Sequence, residues 1–299
     1  MTAAHPTGPR IAVLGSINMD LVAGAERLPA PGETVLGNSF ATVPGGKGSN
    51  QAIAAARAGG DVRFIGAVGS DPFADQLAAT LAGAGVGTEL LRRVPGPSGI
   101  AVISVDSSAE NTIIVVPGAN GSVTALSERD RAAISGAAIL LAQLEIPLDT
   151  VVAGTAAASA AGVPVLLNPS PVRSLPAELL AAVTVLVVNE GEAEVLGEAA
   201  VAEVPHVVTT LGSRGARYRG PSGETVTVTA PRVQPVDTTG AGDAFAGALA
   251  VAWAEGSEPE PALRRACAAG ALSTTVAGAS SSSPTRRAIE ELVAATYGA

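Results

Sequence analysis

Six short runs in the chain are apolar on both faces and do not alternate: residues 11–15 (IAVLG), 62–69 (VRFIGAVG), 137–145 (AAILLAQLE), 163–171 (VPVLLNPSP), 184–189 (TVLVVN) and 206–212 (HVVTTLG). A strand with no polar face is buried on both sides, as in a parallel sheet sandwiched between helices. Segments of helical composition lie between these runs, among them residues 72–85 (PFADQLAATLAGAG), 147–162 (PLDTVVAGTAAASAAG) and 175–183 (LPAELLAAV). The succession predicts an α/β fold with a mainly parallel central sheet and helices on each face.

Two stretches break the rhythm. Residues 21–44, and then 99–105 (GIAVISV) with 111–116 (NTIIVV), alternate apolar with polar positions and carry Pro and Gly breaks. They predict antiparallel strands outside the main sheet, a small lid sheet drawn from about residues 18–44 and 98–117. Its apolar exposed half would be covered by a second copy, giving a homodimer through the lid. After residue 212 the pattern turns antiparallel, with a strand up to Gly220 and ETVTVTAP from Glu224. Helices follow over residues 244–254, 261–276 and 286–296, the last of them amphipathic. With no internal repeat and no linker, residues 10–299 form a single domain with its lid, and the polar, Pro-containing residues 1–9 form a frayed tail.

Composition narrows the partners. In 299 residues, 18 Lys plus Arg face 27 Asp plus Glu, a net charge of −9, so there is no basic footprint for nucleic acid. The single cysteine, Cys267, cannot form an internal disulfide, and no Cys/His cluster has metal-ligand spacing, which suits a reducing cytoplasm. No apolar run approaches the ~18 residues of a membrane span, and the start has no apolar signal core, so the expectation is a soluble protein of the cytoplasm.

The richest stretch in chemistry is residues 236–248 (VDTTGAGDAFAGA). The β-prone run VTVTAPRVQPV leads into a Gly-rich corner and then a helix, whose first N–H groups can cradle phosphate oxygens. Asp243 falls in the first helical turn. It either complements the helix dipole or takes a proton from an attacking hydroxyl. Asn18 and Asp20, just past the first strand, sit where α/β sheets bind ligands, though both are also common turn residues. Residues 44–58 (PGGKGSNQAIAAARA) make a second Gly-rich corner. It is no P-loop, because Gly48 and not Ser or Thr follows Lys47. Gly45, Gly46 and Gly48 with Lys47 and Asn50 suit a small polyhydroxylated ligand, or the glycines only permit close packing. Glu145, after Gln143, closes a strand at the same edge as a ligand group or a helix start. Asn189 and Glu192 have the spacing of a capping box and equally of a shell around phosphate-bound Mg²⁺.

Together GSINMD (15–20), PGGKGSNQA (44–52), QLE (143–145), NEGE (189–192), TLGSRG (210–215) and DTTGAGDAF (237–245) resemble, in order, the motifs of the ribokinase-like (PfkB) family of carbohydrate kinases. The resemblance implies a three-layer α/β/α kinase with a small β-sheet lid, in which ATP phosphorylates the primary hydroxyl of a furanose sugar. D-ribose, giving ribose 5-phosphate, is the first acceptor it implies; deoxyribose, fructose or a nucleoside would mark a sister kinase, with Asp20 and Asn50 discriminating. A binding regulator without turnover would lack the base. By the same resemblance Asp243 is the catalytic base and Gly240, Ala241 and Gly242 form the anion hole. Asn18, Met19, Asp20, Gly46, Lys47, Gly48, Ser49, Asn50 and Glu145 hold the sugar. Asn189, Thr210, Leu211, Gly212, Ser213, Arg214 and Gly215, with Gly242 and Asp243, hold ATP, and Cys267 lies where a helix passes the adenine. Glu192 acts on Mg²⁺ indirectly. Asp237, Thr239, Ser273, Val276, Gly278 and Ser282 hold an activating monovalent cation, usually K⁺, largely through backbone carbonyls. Residues 197–205 depart from the family by lacking a further helix, and Cys267 by being less polar than usual near adenine. A dinucleotide-binding dehydrogenase is disfavoured, since no G-x-G-x-x-G follows the first strand.

Overall fold

The computed structural model describes residues 8–108 and 110–298. Of the tail expected over residues 1–9, residues 1–7 lie outside the described residues, whereas Pro9 is tied in, its carbonyl accepting a hydrogen bond from Asp61 N at 2.9 Å. The elements in chain order are β1 (Arg10–Leu14), β2 (Asn18–Ala25), β3 (Gly37–Gly45), α1 (Lys47–Arg57), β4 (Asp61–Val68), α2 (Phe73–Gly83), β5 (Leu91–Arg93), β6 (Gly99–Val105) and β7 (Asn111–Val116). Then come α3 (Glu128–Ser135), β8 (Ile139–Ala142), α4 (Leu148–Ala160), β9 (Val165–Leu167), α5 (Ala177–Ala182), β10 (Val185–Asn189), α6 (Glu190–Leu196) and α7 (Glu198–Ala202). The chain closes with β11 (His206–Thr210), β12 (Ala216–Arg219), β13 (Thr225–Val228), α8 (Ala241–Ala254), α9 (Pro259–Ser273) and α10 (Arg286–Tyr297).

Nine strands form the main sheet in the order β13-β12-β11-β10-β9-β8-β1-β4-β5. All neighbours from β11 to β5 are parallel, and β12 and β13 extend the sheet antiparallel. The chain leaves β1 towards β4 and β5, then returns to β8 on the other side. Strand order therefore reverses between β1 and β8, and the crevice beyond their carboxyl ends is where such sheets bind ligands.

The two-faced apolar runs work as expected. In β1, Ile11 and Val13 enter the core beneath α1, α8 and α9, whereas Ala12 and Leu14 enter the core beneath α3, α4 and α5. The packing of α8 on α1 fixes the site. A Cβ on Gly247 would stand 2.7 Å from both Ala54 Cβ and the Gln51 carbonyl, so only glycine allows this approach. Consequently the first turn of α8, with Asp243, hangs directly over Asn50 and Gln51 of α1.

The small sheet has the order β3-β2-β6-β7 and uses the expected segments. Its outer pairs are antiparallel, but β2 and β6 run parallel, with Asp20 opposite Ala101. Register places Asp20, Ala101, Ile103, Ile113 and Val115 on one face and Phe40, Val102 and Ile114 on the other.

Four expectations need correction. The run at 226–236 is a strand only as far as Val228, since Pro231 and Pro235 have no N–H for a ladder; the rest crosses to α8 as irregular chain. Residues 197–205 do carry a short helix, α7. Glu145 lies beyond the end of β8 at Ala142, in the following turn. The helix expected over 261–276 starts at Pro259 and stops at Ser273. Among the described residues no helix is long and apolar enough to cross a membrane.

Candidate active site

Three adjoining cavities run along the carboxyl edge of the main sheet. The largest, about 1570 Å³, lies between that edge and the small sheet and is lined by Asn18, Asp20, Gly46, Lys47, Asn50, Glu145, Gly240 and Asp243, with Ala101, Ile103, Ile113 and Val115 opposite. A cleft of about 1250 Å³ lies on the other side of the α8 N-terminus, lined by Thr210, Gly212, Ser213, Gly215, Gly242, Phe245 and Cys267. Between them is a polar gap of about 520 Å³, whose walls include Lys47, Asn168, Asn189, Glu192, Thr210, Gly240, Gly242 and Asp243. Residues from four motifs far apart in sequence thus meet around one helix end.

That end is the α8 N-terminus. Gly240 caps it at φ 76°, a left-handed conformation open to glycine, and a Cβ there would meet Ala279 Cα at 2.8 Å. No side chain caps the helix; Ala241 N donates to the Thr238 carbonyl at 3.2 Å, and the next N–H, of Gly242, is left at the wall of the gap. Asp243 is buried, and this desolvation pushes its carboxyl upward. Lys47, then hydrogen bonds from Gln51 and Asn50, oppose the rise, and Glu145 adds to it. Gln51 Nε2 donates to Oδ1 at 2.9 Å and Asn50 Nδ2 to Oδ2 at 3.1 Å. A buried carboxyl between a polar gap and the sugar-side cavity can accept a proton from a hydroxyl brought beside it.

The sugar-side groups are held with equal care. Glu145 Oε2 accepts from Ser16 Oγ at 2.6 Å and from Lys47 N at 3.0 Å, so it also caps the start of α1. Asn18 Oδ1 accepts from Asn120 Nδ2 at 2.7 Å. The Asp20 carboxyl is pushed up to about 7, first by burial and then by the charges of Glu145 and Asp243. Asn50 Oδ1 and Gln143 Oε1 are buried without a partner.

Some expected contacts lie elsewhere. Met19 is fully buried in the core, because adjacent residues of β2 point to opposite faces. Ser49 turns its hydroxyl back to the carbonyls of Gly45 and Gly46, and Gly48 N donates to Ser16 Oγ at 3.3 Å. Leu211 closes its own loop by donating its N–H to the Gly215 carbonyl at 2.8 Å, and Arg214 pairs with Glu190. Asn189 and Glu192 form the capping box in full, each side chain accepting from the other's backbone N–H, at 2.8 and 2.9 Å, while facing the gap. Cys267 lines the cleft as a buried thiol, its pKa pushed up to about 12 by desolvation.

Asp237 ties the turn to the loop after α9, its carboxylate accepting from Thr239 N and Gly278 N, both at 2.9 Å. Burial pushes its pKa up, but bonds from Thr239 and Gly278 outweigh it and hold the carboxyl below its ordinary value. Ser273 and Ser282 donate their hydroxyls to the carbonyls of Gly270 and Ala279, whereas the Val276 side chain is exposed.

The sequence reading missed Gln51, Asn120, Gln143 and Asn168, and the stretch from Ala230 to Pro235 that walls the cleft. One signal was available: Gln143, with Glu145, is polar at the end of a run apolar on both faces.

Comparison with known proteins agrees with this geometry. Residues 9–286 match the pfkB family carbohydrate kinase model. The ribokinase of Bacillus subtilis is 41% identical over 292 residues, covering 95% of this chain and 99% of that protein. The deoxyribokinase of Salmonella typhimurium is 35% identical over 293 residues, covering 92% and 95%. Among solved structures, Arabidopsis thaliana ribokinase complexed with ribose and ATP superposes with a TM-score of 0.89 at 35% identity, covering 96% of this chain and 99% of that one. The chain belongs to the pfkB family of carbohydrate kinases.

Proposed function

We propose that this kinase transfers the γ-phosphoryl group of ATP to the primary 5-hydroxyl of D-ribose, giving ribose 5-phosphate and ADP. The observation that carries the reading is the position of Gly240 and Asp243, which line both the sugar-side cavity and the gap, while Thr210 and Gly242 line both the gap and the far cleft. Nucleotide, phosphoryl group and acceptor thus have adjoining places, as direct transfer between them requires. That the Arabidopsis neighbour is complexed with ribose and ATP supports these two as the substrates.

In this reading ATP occupies the cleft beside Thr210, Gly212, Ser213, Gly215 and Cys267. Ribose lies among Asn18, Asp20, Gly46, Lys47, Asn50 and Glu145, whose donors and acceptors match its hydroxyl groups. Asp243 takes the proton of the 5-hydroxyl as its oxygen attacks phosphorus. The N–H groups of Gly240 and Gly242 face the charge that builds on the phosphoryl oxygens, while Ala241 N is spent on the Thr238 carbonyl at 3.2 Å. The small sheet acts as a lid whose apolar face excludes water.

The donor chemistry fits a magnesium ion. Glu192 spends Oε2 on its capping bond and leaves Oε1, and among the described residues no cluster of three or more His, Cys, Asp or Glu forms a cage, as suits an ion held largely by phosphate and water. When bound, Mg²⁺ neutralises phosphate charge. The loops joined by Asp237 offer only oxygen donors, which fits K⁺ or a similar cation near Thr239 and Gly278. Ser273 and Ser282 donate their protons to carbonyls and keep lone pairs on oxygen, so their hydroxyls and the neighbouring backbone carbonyls can both contribute. The outer face of the lid, where Phe40 and Ile114 are 68% and 67% exposed, pairs with a second copy. Operation in the cytoplasm completes the reading.

The test is ADP release with ribose, deoxyribose, fructose and nucleosides as acceptors, each with and without K⁺. Ribose as the acceptor with the highest kcat/KM supports the reading; preference for another acceptor overturns the ribose assignment.

A further inference from the structure

Behind Asp243 lie two fully buried glutamines, Gln51 and Gln143, that do not line the sugar cavity. Gln51 Nε2 donates to Asp243 Oδ1 at 2.9 Å and to Asn168 Oδ1 at 3.1 Å, and Gln51 Oε1 accepts from Gln143 Nε2 at 2.6 Å. Asn168 is itself fixed, donating Nδ2 to the Val187 carbonyl at 3.0 Å. These contacts decide which end of Gln51 faces the carboxylate. Turned over, its oxygen would oppose two acceptors, Asp243 Oδ1 and Asn168 Oδ1. Asn50, on Oδ2, differs: its own Oδ1 is buried and unpaired. The two carboxylate oxygens are therefore unequal. Oδ1 is held by an amide with both protons committed, whereas Oδ2 is held by one that lines the sugar cavity with an acceptor to spare.

We propose that Gln51, held in orientation by Asn168 and supported by Gln143, is a positioning residue that holds Asp243 through Oδ1, so that Oδ2 takes the acceptor's proton. The inference rests on the reading of Asp243 as base. In the step it serves, the acceptor oxygen bonds to the γ-phosphorus and its proton passes to Oδ2. The bond from that phosphorus to the β,γ-bridging oxygen breaks, and its electron pair leaves on ADP. The ionised form of Asp243 is what Gln51 favours. Besides the two amides, the charged groups around the carboxyl are Lys47 of α1, Glu145 after β8, Asp20 of β2 and Glu192 of α6 across the gap. Of the two amide bonds that oppose desolvation there, Gln51's is the larger influence.

The test is the pH dependence of kcat, with KM for ribose and for ATP, in Gln51→Leu, Gln51→Glu and Gln143→Leu. Gln51→Leu is expected to lower kcat ~10- to 100-fold through misplacement of the base, with both KM values within about threefold. The acid limb of its kcat profile is expected to move up by about one pH unit, since a bond to the ionised form is lost. Gln51→Glu, of the same shape, should move that limb further by facing one carboxylate with another, and Gln143→Leu should move it less. If Gln51→Leu does not fold, the other two carry the test. Folded variants with a wild-type acid limb overturn the proposal, including variants that lose only thermal stability. Asp243→Asn is measured alongside. If it keeps near-wild-type kcat, the base assignment fails; if it is inactive while the glutamine variants keep the wild-type profile, only the positioning role fails.

Discussion

Asn120 donates a hydrogen bond from Nδ2 to Asn18 Oδ1 at 2.7 Å while its own Oδ1 accepts from Ile17 N at 3.0 Å. Asn120 sits in the 3-10 turn Gly118–Ser122, just beyond β7 of the small sheet, and Asn18 opens β2 at the rim of the sugar cavity. One side chain therefore joins the small sheet's exit to the first sugar-facing residue.

Asn120→Ala is expected to raise KM for ribose ~10-fold and to cost about 1–3 kcal/mol of stability, because it leaves buried groups on Ile17 and Asn18 unpaired. Its kcat should stay within about threefold, as Asn120 does not line the gap beside Asp243. Steady-state kinetics and urea denaturation check both parts.

Asp20 gives a pH prediction. Its folded pKa, about 7, lies above the ordinary carboxylate value. A raised folded pKa contributes stability that is present at low pH and lost as pH rises through about 7. Asp20→Asn should therefore gain stability over wild type at pH 8, on the order of a few kcal/mol, and gain little at pH 4. Ribose binding has the opposite pH sense. Sugar hydroxyls donate to the ionised carboxylate, so ribose affinity should rise with pH up to about 7 and then level off, a step absent from Asp20→Asn. Calorimetric titration with ribose across this range is the check.

Gly240 permits a backbone prediction. Alanine there would have to hold φ 76° and place its Cβ 2.8 Å from Ala279 Cα, where backbone must move. Gly240→Ala should lose about 1–3 kcal/mol of stability. Its kcat should fall more than its KM for ATP rises, since Gly240 lines the gap and the sugar cavity but not the nucleotide cleft. Equal loss in all three constants would argue against a local effect.

The main sheet was legible because strands buried on both faces lack alternation, and the small sheet was legible because its strands have it. The crevice followed from strand ends, which brought out Asn18, Asp20, Glu145 and Asn189 as candidates, and a Gly-rich corner brought out Lys47. Amides such as Asn120 and Asn168 were not legible. They carry no charge and keep no period, and each acts on a partner far away in sequence. Gln51 was inside a quoted motif, but its partner Gln143 is 92 residues away and their bond exists only once β8 lies beside β1 and under α1. Met19 erred the other way: its place between Asn18 and Asp20 turned it to the core. The parallel pairing of β2 with β6 also eluded the reading, because alternation reports a half-buried strand and not its direction.

The central claim is that Asp243 takes the proton from the acceptor hydroxyl. Asp243→Asn keeps the shape and the bonds available to Oδ1 but removes the base. The most direct measurement is ADP release by this variant with ribose and ATP, beside ribose binding by calorimetry. The account predicts a kcat lowered ~10²-fold or more with ribose affinity largely kept. A near-wild-type kcat would contradict it.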